Sequence, residues 1–319
     1  MIPAVTASTS SVVSGLPYQW VAAGQNGLLY TSTSTTVASW TSRTSSFGST
    51  SINGIASDGV SQYVAVGASG KLATSPDGTT WTQQTSSFST TDVNAVAYGA
   101  GTWVAVGNSG KLATSTNGTT WTQQTSGTAV NLISIAYGNG LWVAGGYNLA
   151  ITATTPTGTW TSRTSTVTNN NFSAYYDPYI PIWVGGQDTG TTTGALASST
   201  DGITWTARNS TINAGSGNAY FSSASGIIAM GTTINILTPL SDVQSSTDGV
   251  TWTNRTPATT ASAIYGMAVD TTGTFAVANF TTGGPFQYST NGTTWTNGAS
   301  VAGFSALCLC HSAGTPSIR

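Results

Sequence analysis

Glutamate is absent from this chain of 319 residues, so Asp supplies all nine of its acidic side chains. Only 5% of residues are charged, against about 25% in an ordinary globular chain. Seven Lys and Arg and a net charge of −2 provide no basic surface to neutralise phosphates, which argues against nucleic acid as a partner. No apolar run approaches the roughly 18 residues of a membrane-spanning helix, and no basic amphipathic helix is visible, so membrane insertion is not expected. The opening residues MIPAVTASTSSVVSG lack a basic start and a sustained apolar stretch, so no secretory leader is expected. A protein of this kind acting outside a cell would leave by another route, such as transport on a virus particle. Histidine occurs once, at His311, and cysteine twice, at Cys308 and Cys310. Two cysteines at that spacing share one face of a strand and rarely reach good disulfide geometry. Structural zinc needs four ligands. The expectation is buried free thiols, with no metal and no cofactor.

What the chain has in excess is hydroxyl. Ser and Thr make up roughly a third of it, and solubility must rest on hydroxyls and amides. The 39% hydrophobic residues and 11 Trp argue against disorder and for a packed core. The segment Ser115–Trp121 (STNGTTW) recurs at Ser75–Trp81, Ser199–Trp205, Ser246–Trp252 and Ser289–Trp295, with eroded copies ending at Trp40 and Trp160. Trp-Thr pairs begin at 40, 81, 121, 160, 205, 252 and 295, in steps of 41, 40, 39, 45, 47 and 43 residues. A repeat of this length is the signature of a blade-by-blade propeller.

Each unit also carries an apolar run ending in Gly or a small residue, such as Tyr63–Gly67 and Trp103–Gly107. These read as strands buried on both faces. A preceding run with alternating small residues, as in Val93–Tyr98, suits the crowded strand nearest a central channel. The expected fold is all-β, a seven-bladed propeller of four-stranded antiparallel blades. The strand near 304–310 is left over after the last Trp-Thr pair, so it is expected to complete the first blade beside Trp20–Gly24 and to remove an open edge. The domain reading is an arm or outer strand over 1–17, the propeller over 18–312 and a tail over 313–319.

In the repeated segment, Asn-Gly or Asp-Gly is expected to supply the positive-φ positions of a tight hairpin, and Asn or Asp to bond to backbone amides beyond itself. The Ser hydroxyl would satisfy a neighbouring turn group, and the Trp would bury its ring on the adjoining sheet. The structural residues are Asp77, Trp81, Asn117, Trp121, Asp201, Trp205, Asp248, Trp252, Asn291 and Trp295. The motif S-x-[DN]-G-x-T-W resembles the Asp-box, or BNR, repeat of sialidases, phage structural proteins and many non-enzymatic propellers, one residue shorter than the usual form. The resemblance spans about Tyr18 to His311. It implies the propeller fold and places the boxes on turns away from any catalytic face.

A sialidase would require an arginine triad, a Tyr–Glu pair and an acid/base Asp. Arg43, Arg163, Arg208 and Arg255 occupy one repeat slot, three residues after Trp, which units two and three fill with Gln84 and Gln124. Equivalent slots on different blades do not converge. There is no Glu for the pair, and paired carboxylates across a cleft are not evident. No catalytic residues are expected. Asp58 and Asp270 are expected at hairpin turns.

Binding is instead expected on variable loops of units four to six: Ser165–Asn171, Gln187–Gly194, Asn209–Gly217 and Thr232–Ser241. The candidate ligand residues are Asn169, Asn170, Asn171, Asp188, Asn209 and Asn213, with Tyr176 and Tyr179 from an aromatic turn placed in unit four on the opposite face. The sequence points to a non-enzymatic phage virion component (tail, fibre or decoration), at the virion surface or otherwise extracellular. Its partner would be a host-surface glycan or another virion protein, within a larger assembly. A soluble bacterial lectin-like propeller is the alternative, and a sialidase-type hydrolase a distant third.

Overall fold

The computed structural model describes residues 16, 19–163, 172–187, 195–208, 219–224, 226–232, 243–255, 264–270, 272–279 and 283–312. Apolar runs such as Tyr63–Gly67 form strands buried along their whole length, because each is sandwiched between neighbouring sheets. Six of the outermost strands, such as Thr82–Gln84, are only three residues long and largely exposed, and the seventh, Thr296–Ser300, has five residues. Short, hydroxyl-bearing edges of this kind give a partner strand little to pair with.

The strands form four-stranded antiparallel sheets, each running from an inner strand outward. Six are built from consecutive strands, and a seventh is assembled from the two ends of the described chain. The composite sheet, sheet one, pairs Ala306–His311 with Trp20–Gly24, followed by Leu29–Ser32 and Thr41–Arg43. Sheet two holds Ile52–Ser57, Tyr63–Gly67, Leu72–Ser75 and Thr82–Gln84. Sheets three to seven begin at Val93–Gly99, Leu132–Gly138, Phe172–Asp177, Ala219–Ala224 and Ile264–Val269. Their outer strands are Thr122–Gln124, Thr161–Arg163, Thr206–Arg208, Thr253–Arg255 and Thr296–Ser300.

The inner strands pack in cyclic order, with Ala306–His311 between Ile264–Val269 and Ile52–Ser57. The result is a closed β-propeller. The expected clasp is present: Trp20 faces His311, Val21 faces Cys310 and Ala23 faces Cys308. Both cysteines are buried free thiols. Leu16, within the expected arm, is buried against the cluster containing Val21 and Cys310. The rest of that arm and the tail 313–319 lie outside the described residues.

A second closure was not anticipated. The eroded repeat of sheet one sends Val37, fully buried, across to sheet seven. There the Ala299 amide donates to the Val37 carbonyl at 3.0 Å. Trp40 stacks on Phe286 of sheet seven at 4.1 Å between ring centroids. Val37 holds φ 46°, an unfavourable conformation for a β-branched residue, so this contact imposes a local strain. The erosion of the motif here reflects a different task, covering the outer strand of the last sheet.

Candidate functional site

The repeated segments form one kind of turn. In sheet three, Asn117 Oδ1 accepts the amides of Thr119 at 3.0 Å and Thr120 at 2.9 Å. Ser115 Oγ accepts the Gly118 amide at 2.8 Å, and Trp121 Nε1 donates to the Gly118 carbonyl at 2.8 Å. Asp77, Asp201, Asp248 and Asn291 accept the two corresponding amides in their own sheets. The hydroxyl role and the burial of Trp81, Trp121, Trp205 and Trp295 agree with the sequence reading, while Trp252 is partly buried and packs on Phe221.

The hairpin reading needs correction. Only the glycine takes positive φ, 70° at Gly118, and none of the preceding Asp or Asn residues does. The connection is also longer than a tight hairpin, running from Ser75 to Thr82 in sheet two. The expected bonding of Asp and Asn to amides beyond them is present and is their role here, that of an Asx-turn. The glycine has a second constraint: a Cβ at Gly118 would collide with Gln62 of sheet two. Gln62 itself donates to the Asn117 carbonyl at 3.1 Å, so this box locks onto the preceding sheet, as the box at Asp77 does through Gln19.

The box carboxylates are correspondingly acidic. Desolvation opposes ionisation of Asp77, but the donors of Thr79, Thr80 and Ser75 outweigh it and hold its pKa near about 2. Asp201 and Asp248 are lowered in the same way: desolvation opposes, and local amide and hydroxyl donors prevail. The other described aspartates are also turn acceptors. Asp58 Oδ1 takes the amides of Val60, Ser61 and Gln62, and Asp270 Oδ1 those of Thr272 and Thr274, at the turns expected for both. Asp177 takes those of Tyr179 and Ile180, and Asp92 that of Ser69 across a sheet boundary.

The four described arginines do not converge. Each Nε donates to a hydroxyl on the neighbouring strand of its own sheet: Arg43 to Thr31 at 2.9 Å, Arg163 to Thr152 at 2.7 Å, Arg208 to Ser198 at 2.7 Å and Arg255 to Ser245 at 2.8 Å. Gln84 and Gln124 make the same bond to Thr74 and Thr114. His311 is fully buried in edge contact with the Trp20 ring. Burial lowers its pKa to about 4, with Asp270 opposing the shift. Among the described residues no group of His, Cys and Asp has the arrangement of a metal site.

Of the ligand candidates, Asn169, Asn170, Asn171, Asp188, Asn209 and Asn213 lie outside the described residues. Tyr176 and Tyr179 are described, and their placement corrects the sequence reading. Their turn joins the first two strands of sheet five, not unit four. Tyr176 is half-buried against Trp183 and covers Gly138 of sheet four, which is a packing role. Tyr179 is 64% exposed and remains available to a ligand.

On the loop face the sequence reading missed a groove of about 520 Å³ beside sheet three. It runs between the turn Ser109–Lys111 and the link 123–129 toward sheet four. The signal was present in the links: SSF in units one and two becomes SGT in unit three.

No family model matches the chain, and no curated protein matches it. Solved structures do. YCF48 bound to a D1 peptide is 15% identical, covering 88% of this chain and 84% of that one, with a TM-score of 0.59. YCF48 from Cyanidioschyzon merolae is 14% identical, covering 82% and 89%, with a TM-score of 0.62. Virginiamycin B lyase from Staphylococcus aureus is 8% identical, covering 95% of each chain, with a TM-score of 0.62. These neighbours include an enzyme and a peptide-bound protein. What the chain shares with them is the β-propeller of four-stranded blades.

Proposed function

We propose that this chain is a seven-bladed, Asp-box-type propeller that acts as a non-catalytic recognition module. In this reading it is a component of a phage virion (tail, fibre or decoration) whose loop face engages a host-surface glycan or another virion protein. The observation that carries the non-catalytic part is the use of the four arginines. Each is bonded within its own sheet, so none is placed to clamp a substrate carboxylate jointly with another. The seven described aspartates support it, since six hold local turns and Asp92 accepts the Ser69 amide of the neighbouring sheet. The hydroxyl-rich surface and the resemblance of the boxes to phage structural repeats support the virion setting. Loops held on a rigid scaffold are where binding residues concentrate.

With so few ions to screen, binding should depend little on salt. The test is binding of the purified protein to host cells and to a glycan array at low and high salt, with fluorogenic sialosides as the catalytic control. Salt-insensitive binding without turnover is the expected result. Turnover of the sialosides, or binding that collapses at high salt, would overturn the reading.

A further inference from the structure

The groove beside sheet three lies along a link that departs from a repeated arrangement. In sheets one and two the link to the next sheet carries a buried phenylalanine, Phe47 or Phe88. Its amide is held by a serine two residues earlier, Ser45 or Ser86. Each ring lies over the final glycine of the next sheet's second strand: a Cβ at Gly67 would come 2.9 Å from Phe47 Cε1, and at Gly107 3.1 Å from Phe88 Cε1. In sheet three the same serine bond is made by Ser126, but to Thr128. The link is one residue shorter, and the side chain nearest a Cβ at the corresponding Gly146 is now Val130, at 3.3 Å. Thr128 takes the phenylalanine's position in the link and lines the groove, while Val130 takes its place over the glycine.

We propose that this groove is a binding site for a short stretch of neutral glycan, an inference that rests on the recognition reading above. Its volume falls within the range of small-ligand sites, about 300–1,000 Å³. Its lining is hydroxyl and amide, from Ser109, Gln123, Gln124, Thr125 and Thr128, and it contains no carboxylate. The one cation of the lining, Lys111, donates to the Phe88 carbonyl at 2.9 Å, which fixes the position of its ammonium. Such a lining matches a sugar's alternating donors and acceptors without burying an unpaired charge. The groove lies on the same face as the links and second-to-third-strand turns of the neighbouring sheets.

The experiment compares wild type, Thr128→Phe and Gln123→Ala against maltotriose, N,N′-diacetylchitobiose and lacto-N-tetraose, by calorimetry and by NMR of the glutamine side-chain amides. Thr128→Phe places an aromatic ring at the wall of the groove, and its melting curve beside that of wild type shows that the fold is kept. The expected result is saturable binding of at least one glycan, with shifts at Gln123 and Gln124. Affinity should fall about tenfold or more in Thr128→Phe and fall also in Gln123→Ala. Undiminished binding by both variants would remove the groove while leaving the recognition reading intact. Binding of a virion protein through an aromatic side chain seated here, with no glycan response, would overturn the glycan assignment alone. If wild type binds neither host cells, glycans nor virion proteins, both readings fall.

Discussion

At the scale of single residues, the box turn separates two kinds of contribution. Trp121 is buried and bonded through its indole nitrogen, so Trp121→Ala should cost about 3–5 kcal/mol, as for other emptied aromatic sites. Asn117→Ala leaves two amides without their acceptor and should cost about 1–2 kcal/mol. Asn117→Asp should be tolerated, because Asp77 and Asp201 fill the same role. Denaturant melts of the three variants check the order, and a silent Trp121→Ala would mean the box rings face a ligand. His311 gives a separable pH effect. Its folded pKa of about 4 lies below the unfolded value of about 6.5. The folded protein therefore resists a proton that the unfolded chain accepts, and stability should fall as pH drops from about 6.5 to 4. The box aspartates, with lowered folded pKa values, lose their contribution only as pH falls below about 4. A His311→Gln variant should flatten the upper window alone; an unchanged slope of melting temperature against pH would exclude His311 as its source.

At the scale of elements, the most informative contact is the one the repeat pattern concealed. Val37 reaches the outer strand of sheet seven, and a Cβ at Gly298 would come 2.6 Å from its side chain. Gly298→Val should displace this connection, lower stability by about 1–3 kcal/mol and speed hydrogen exchange at the Ala299 amide. Unchanged exchange there would mean that Val37 contributes nothing to closure. The elements themselves were legible because propeller strands are local: Tyr63–Gly67 announces burial on both faces, and Trp-Thr marks each outer strand. Val37 was not legible because its meaning depends on a partner strand roughly 260 residues later in the chain. The bond from Arg43 to Thr31 was equally hidden, since the slot spacing reveals equivalence among sheets but not what the side chain touches. The groove lay between these cases. A missing phenylalanine is visible in the sequence, but its consequence needs the place of Phe47 and Phe88.

At the scale of the whole molecule, stability depends on the strand Ala306–His311, which joins the ends of the fold. Deleting residues 303–319 uncovers the inner edge of Trp20–Gly24 and should produce aggregation or a large cooperative loss of stability. A truncated protein with the wild-type melting curve would contradict the clasp. The same clasp brings Gln19 and Ser312 together: the Ser312 amide donates to the Gln19 carbonyl at 3.0 Å, and the Gln19 amide to Ser312 Oγ at 3.3 Å. The gap between Gln19 and Ser312 is thus one break among several equivalent positions on a ring. Each sheet could serve as the composite one if its first two strands were separated instead. The turn Asn139–Gly140 in sheet four offers such a break, being exposed and outside the box contacts. A permuted gene that joins Gln19 to Ser312 and starts at Gly140 would begin with a second strand and end with an inner one, the order in which the described strands run from Trp20–Gly24 to Ala306–His311. Its product would be the same ring, entered three sheets further round.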